Sequence, residues 1–237
     1  MSLHKKLAWA LGYELRRIRK GNTHAALTER LIRDCRPDVI LDVGANTGQF
    51  GQATLKLRRD ARLVSFEPLS QAHAELAEKA KAYPHWAVAP RMAIGAEEGE
   101  AEINISEFSQ SSSIMANTGR NLSAFPMVRS TGTEKVAVHR LDNVAGDYVR
   151  PGERIYLKSD TQGYEKKVLE GATGIWDSIV GLQMELQTVE LYEGSPLMDE
   201  MLEYALSRGL RLYGLANGTR DAQTREMVEF DAYFIRV

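Results

Sequence analysis

The chain carries one cysteine, Cys35, so no intrachain disulfide can form, and its cysteine usage suits a reducing compartment. No apolar run reaches the roughly 18 residues that a membrane span needs. The opening stretch, MSLHKKLAWALGYELRRIRK, lacks the apolar region and small-residue cleavage site of a signal peptide. A cytoplasmic protein is the expectation. Charge of one sign is also missing: 30 basic residues face 32 acidic ones, for a net charge of −2. No global field recruits nucleic acid, and none is expected as a partner. There is no internal repeat, no low-complexity tract, and no His/Cys set of the kind that binds zinc or iron.

What remains is the composition of an ordinary globular protein, 43% hydrophobic and 26% charged. Its 237 residues suffice for one domain with a full core and are short for two. Residues 1–24 read as an amphipathic helix. Leu3, Leu7, Leu11, Leu15 and Ile18 fall on one face, and Lys5, Lys6, Arg16, Arg17, Arg19 and Lys20 on the other. Such a helix packs on the core or on a second subunit, or lies on an anionic membrane surface through residues 3–20. Residues 25–237 read as a single domain.

Helix and strand then alternate. Helices are expected over Thr28–Cys35, Thr47–Arg58 and Ser70–Tyr83, and strands over Val39–Val43, Arg62–Glu67 and within Trp86–Ile94. Alternation of this kind means a parallel sheet covered on both faces. Ala101–Ile105 and Lys135–Leu141 instead alternate like half-buried antiparallel strands. The Ser-, Thr- and Gly-rich segment 106–133 is too long for a plain connection and reads as a substrate loop or lid. The alternation resumes with a strand at Arg154–Asp160, a helix at Tyr164–Ala172 and a strand at Ile179–Leu186. A helix follows, with Ser195 as its cap and Pro196 in its first turn, and stops at Gly209. Leu210–Leu215 and Val228–Val237 close the chain as an antiparallel pair.

The chemistry gathers at VILDVGANTGQFG, residues 39–51. A buried strand ends at Asp42-Val43, turns through Gly44-Ala45-Asn46-Thr47-Gly48 and feeds a helix. In an open parallel sheet, ligands bind beyond the carboxyl ends of the strands, where strand order reverses. Gly44 and Gly48 permit a sharp turn and close approach, and the turn and helix start offer N–H groups to an anion. Glu67, ending the next strand, can accept hydrogen bonds from both hydroxyls of a ribose. A nicotinamide dinucleotide would call for G-x-G-x-x-G. Counted from Gly44, Asn46 and Gln49 stand at the later glycine positions, and no Tyr-x-x-x-Lys pair occurs. S-adenosylmethionine fits better: Asp42 suits its cationic amine and the loop N–H groups its carboxylate. A nicotinamide-dependent oxidoreductase, a non-catalytic nucleoside-binding protein and an N-methylating enzyme are the rivals.

Further along stand YLKSDTQGYEKKVLEGA (156–172), GLQMELQ (181–187), VELYEGSPL (189–197) and DAYFIRV (231–237). With LDVGANTGQFG, SFEP, AIG and the serines 111–113, their order and spacing resemble the FkbM family of S-adenosylmethionine-dependent methyltransferases, from about Pro37 to Val237. The resemblance implies an α/β class I methyltransferase fold, Rossmann-like and doubly wound, with seven strands of which the last is antiparallel. It implies O-methylation of a small-molecule or glycan hydroxyl, with S-adenosylmethionine converted to S-adenosylhomocysteine. Position by position, it places Asp42, Gly44, Asn46 and Gly48 at the methionine side of the cofactor, Glu67 at the ribose, and Ala93 and Ser113 near the adenine or the methyl end. Asp160, Gln162, Glu165 and Glu185 face the acceptor. Ser159 departs from a more usual apolar strand residue, and Thr224-Arg225 from a more usual Thr-Gly.

Each acid also has a structural reading. Asp160 can cap the following helix, Glu165 can stabilise its first turn, and Glu185 needs a partner in a strand otherwise buried. Lys158 can pair with any of them. His139 reads as structural, and Tyr192 and Phe108 as packing or cleft-lining aromatics. The acids could gather Mg²⁺ through oxygen, but nothing in their spacing demands it and no metal is expected. Self-association stays open.

Overall fold

A computed structural model describes residues 10, 23–58, 60–216 and 218–237. Apart from residues 10, 23 and 24, the amphipathic helix expected over residues 1–24 lies outside them. The first described helix, α1 (His24–Cys35), is capped by the Thr23 hydroxyl, which accepts from the Ala26 amide at 3.2 Å. It starts about one turn earlier than expected.

The run Val39–Val43 forms β1 and is buried at every position, because both sheet faces are covered. Next come α2 (Gln49–Leu57), β2 (Arg62–Phe66), α3 (Ser70–Ala80) and β3 (Trp86–Val88). The strand expected within Trp86–Ile94 divides in two. Trp86–Val88 joins the main sheet, whereas β4 (Ala93–Gly95) pairs elsewhere. Pro90, which has no N–H for a ladder, lies between them.

β4, β5 (Gly99–Ser106) and β6 (Ser130–Arg140) make a small sheet in the order β4-β6-β5, with β5 and β6 antiparallel as expected. The segment 106–133 is largely ordered by short elements. These are a 3₁₀ turn at Ser109–Ser111, α4 (Gly119–Ala124) and a second 3₁₀ turn at Pro126–Val128. It is tied back by single bridges from Asn104 to Ser113 and from Asn117 to Tyr192. After α5 (Leu141–Val144) come β7 (Ile155–Ser159), α6 (Glu165–Glu170), β8 (Ile179–Gln187), α7 (Met198–Leu206), β9 (Leu210–Leu215), β10 (Thr219–Arg220) and β11 (Met227–Arg236). Ser195 does not cap α7. Leu197 holds that position, and the Ser195 hydroxyl donates to Gln187 Oε1 at 2.8 Å. At the altered tail turn, Arg225 takes a positive φ of 64°.

The main sheet runs β10-β11-β8-β7-β1-β2-β3, with β9 on the other side of β11. β3, β2, β1, β7 and β8 are parallel, and β11 is antiparallel to both β8 and β9. The seven expected strands are present, and the two-residue β10 makes an eighth. Strand order reverses between β1 and β7, which is where a doubly wound sheet opens a crevice. One core, around Leu41, Leu157, Leu182 and Phe234, meets α6 and α7. The other, around Ile40, Tyr156 and Tyr233, meets α1, α2 and α3. No helix among the described residues is long and apolar enough to cross a membrane.

Candidate active site

The turn after β1 is held by its own hydrogen bonds. Gly44 and Ala45 donate to the Phe66 carbonyl at 3.1 Å each, Thr47 to Asn46 Oδ1 at 2.8 Å, and Gly48 to the Ala45 carbonyl at 2.9 Å. The Asn46 amide donates to Glu67 Oε2 at 2.7 Å. These N–H groups are therefore spoken for inside the protein, contrary to the expectation that they receive a ligand carboxylate. Gly44, Asn46 and Gly48 all take positive φ, at 74°, 47° and 85°. At Gly44 a Cβ would lie 1.9 Å from the Asp160 carbonyl, so only glycine lets the two loops meet. Gly48 answers a different need. A Cβ there would meet Trp86 and Leu76 at 2.8 and 2.9 Å, so packing against β3 and α3 calls for glycine.

Glu67 directly follows β2 with its carboxylate buried, accepting from the Asn46 amide and, at 2.9 Å, from the Leu69 amide. Burial pushes its pKa up to about 7 against the pull of those two amides. It forms the polar wall of a crevice that also takes in Gly44, Asn46, Ala93, Ser113 and an apolar shelf of Phe66, Leu69, Ile94, Ile103 and Ile114. A buried carboxylate with spare acceptor capacity beside an apolar slot fits a nucleoside: hydroxyls to the acid, base to the shelf. Ser113 lines this crevice, and its hydroxyl donates to the Gln162 carbonyl at 2.7 Å.

Asp42 does not reach either crevice. It is fully buried, accepts from the Ser65 hydroxyl at 3.1 Å, and faces the Lys158 ammonium at 3.2 Å. A carboxylate at that depth needs its charge met inside the protein, and Lys158 meets it. Burial pushes Asp42 up and Lys158 pulls it back. For Lys158, burial acts downward but is outweighed by Asp42 and Asp160, so the ammonium stays charged. Ser159, on the opposite face of β7, is buried in the packing with its hydroxyl unpartnered among the described residues.

Asp160 follows β7, and its backbone amide donates to the Val43 carbonyl at 3.2 Å. The next turn bends through Gln162 and Gly163, both at positive φ. The Tyr192 hydroxyl donates to Gln162 Oε1 at 2.6 Å. That leaves the Gln162 NH₂ to face the acids, donating to Asp160 Oδ1 at 3.1 Å and Glu185 Oε2 at 2.8 Å. Burial, reinforced by Glu229 and Asp160, holds the Glu185 pKa well above the usual carboxylate range. Glu165 is buried, pushed up by that burial to about 7, and accepts from both the amide and the hydroxyl of Thr161. Of the four residues expected to face the acceptor, Asp160 and Gln162 line the crevice. Glu165 and Glu185 line neither crevice described here and act on Thr161 and Gln162 from behind.

A second crevice opens on the α1–α2 side. Gly44, Asn46, Gln110 and Asp160 belong to both crevices, while His24, Thr28, Gln49, Phe50, Gln183 and Asp231 are among the walls of the second alone. Asp231 faces His24 Nδ1 at 2.9 Å and accepts from Gln183 Nε2 at 3.1 Å. The Gln183 oxygen accepts from the Tyr156 and Thr28 hydroxyls. Sequence reasoning missed this set. The available signal was Asp231, an acid inside a closing strand of largely apolar residues. His139 is remote and pairs with Glu98. Among the described residues, no group of three or more His, Cys, Asp or Glu stands where it could hold a metal ion.

A family model described as "Methyltransferase FkbM domain" matches residues 42–212, well over half of the chain. No curated protein matches the sequence. Among solved structures, a precorrin-6y C5,15-methyltransferase from Geobacter metallireducens GS-15 is similar at 9% identity and a TM-score of 0.48, over 90% of this chain and 87% of that one. An rRNA methylase from Streptococcus thermophilus is similar at 10% identity and a TM-score of 0.47, over 90% and 95%. The sheet, with its antiparallel β11 set between β8 and β9, has the class I methyltransferase arrangement. The chain belongs to the FkbM family of S-adenosylmethionine-dependent methyltransferases.

Proposed function

We propose that this protein methylates an oxygen of a hydroxylated small molecule or glycan. The nucleoside of the cofactor lies in the first crevice, with its ribose on Glu67, and the acceptor comes from the second. The observation that carries this reading is the place of Asp160, whose carboxylate is 40% exposed and lines both crevices. When bound, S-adenosylmethionine supplies a methyl group already activated by its sulfonium. The work left to the chain is to orient the acceptor, exclude water and take a proton. Orientation alone is worth about 7–11 kcal/mol in favourable cases. Asp160 accepts the hydrogen bond of the acceptor hydroxyl and takes its proton, a role typically worth about 10²–10⁴ in rate. Gln162, turned by Tyr192, keeps one Asp160 oxygen in place.

Amides, hydroxyls and carboxylates beside the Phe50 ring suit a polyhydroxylated acceptor. The test is a calorimetric titration with S-adenosylhomocysteine and with NAD, followed by transfer of labelled methyl from S-adenosylmethionine into a panel of sugars and cell extracts. Binding of S-adenosylhomocysteine with label recovered as a base-stable ether supports the reading. Tight NAD binding with no response to S-adenosylhomocysteine overturns it, and label recovered on nitrogen overturns the choice of oxygen.

A further inference from the structure

Lys158 has no part in the function proposed above, yet it lines the second crevice beside Gly44 and Asp160, which belong to both crevices. Its side chain is 6% exposed. The ammonium donates to one oxygen and faces two carboxylate oxygens, on three chain segments. These are Asp42 Oδ1 at 3.2 Å from β1, the Gly44 carbonyl at 3.0 Å from the turn, and Asp160 Oδ2 at 3.6 Å after β7. The Phe50 ring lies 5.7 Å away and closes one side.

A buried ion pair is weak grounds for stability, because taking both charges out of water offsets much of their attraction. Lys158 and Asp42 as an isolated pair would contribute little that two apolar residues could not. The other two oxygens give the arrangement its sense. Gly44 and Asp160 are both walls of both crevices, and their backbones already abut so closely that no Cβ fits between them. Backbone contact sets where Asp160 sits. It does not set where the carboxylate points. Gln162 holds Oδ1, and Lys158 is the group that faces Oδ2.

We propose that Lys158 is a positioning residue that joins the cofactor turn to the acceptor-facing carboxylate, with Asp42 as its buried counter-ion. One charge thereby sets the Gly44 carbonyl and the Asp160 carboxylate in register. This inference rests on the methyltransferase reading of the site.

The test removes both buried charges together, as Lys158→Met with Asp42→Asn, so that neither is left unpaired. Thermal midpoint and S-adenosylhomocysteine affinity are then measured against the unmodified protein. The expected result is a midpoint within a few degrees of the original and an affinity weaker by about tenfold or more. A folded double variant with unchanged affinity overturns the inference, since the pair is then only an internal ion pair. Failure of the unmodified protein to bind S-adenosylhomocysteine overturns the methyltransferase reading itself. Should the double variant not fold, a crystal structure of the unmodified protein with S-adenosylhomocysteine decides. Lys158 still touching both Gly44 and Asp160 supports the inference, and release of either contact overturns it.

Discussion

Glu67 and Glu165 are acids that the fold holds in places hostile to charge. Burial pushes both to about 7, from an ordinary value of 4.5. Between those values the native state keeps protons that the unfolded chain has released, so stability falls as pH rises and levels off above about 7. Each group accounts for on the order of 3 kcal/mol across that window. The thermal midpoint is therefore expected to be higher near pH 5 than near pH 8. Glu165→Gln, which keeps an oxygen for Thr161, is expected to flatten the profile, and a scan showing the same slope in both proteins refutes this. At Asp160 the effect is on chemistry. Asp160→Asn keeps shape and removes charge, so turnover is expected to drop by about 10²–10⁴ while S-adenosylhomocysteine affinity stays within a few-fold. Unchanged turnover would sink the role given to it. Residue identity made Glu67 and Asp160 legible in the sequence, because an acid ending a parallel strand faces the crevice. It could not separate Asp42 from them. Glu67 and Asp160 stand level with Gly44, whereas Asp42 lies two residues deeper in β1, on the same face and beside its register partner Lys158.

At the scale of elements, the alternation of period-3.6 and period-2 segments was readable almost throughout, and it predicted the parallel strands and the antiparallel closing pair. Three features were not readable. The division of 86–94 between two sheets depends on a tertiary choice around Pro90. The start of α7 depends on Ser195 finding Gln187. The self-satisfied turn depends on Phe66 and Glu67 arriving beside it from another strand. That last feature makes the turn a joint between elements. Gly44→Ala would force a Cβ both into positive φ and to within 1.9 Å of the Asp160 carbonyl. A loss of at least about 3 kcal/mol is expected, with cofactor binding abolished. Gly99→Ala, where a Cβ meets nothing within 4 Å, is the control, expected to stay within about 0.5 kcal/mol. Denaturant melts of the two variants decide; equal midpoints would mean that the loops slide apart without cost.

For the whole molecule, the strand that closes the sheet also completes the site. β11 lies between β8 and β9, also pairs with β10, and buries Val228, Ala232, Tyr233 and Phe234 almost completely. Phe230, Ala232 and Phe234 belong to one core and Tyr233 to the other, so this strand fastens both faces. It also carries Asp231, the wall of the second crevice that faces His24. Chain ends usually tolerate trimming because few contacts hold them. Here the opposite is expected. Losing buried aromatic side chains costs about 3–5 kcal/mol each, so two or three of them together match the about 5–15 kcal/mol that a domain has in total. Removing residues 227–237 should abolish the cooperative thermal transition and the binding of S-adenosylhomocysteine together. A shortened protein that melted cooperatively would show that the five parallel strands stand alone. One that also bound S-adenosylhomocysteine would confine the cofactor site to β1, β2 and β7, and leave β11 to the acceptor.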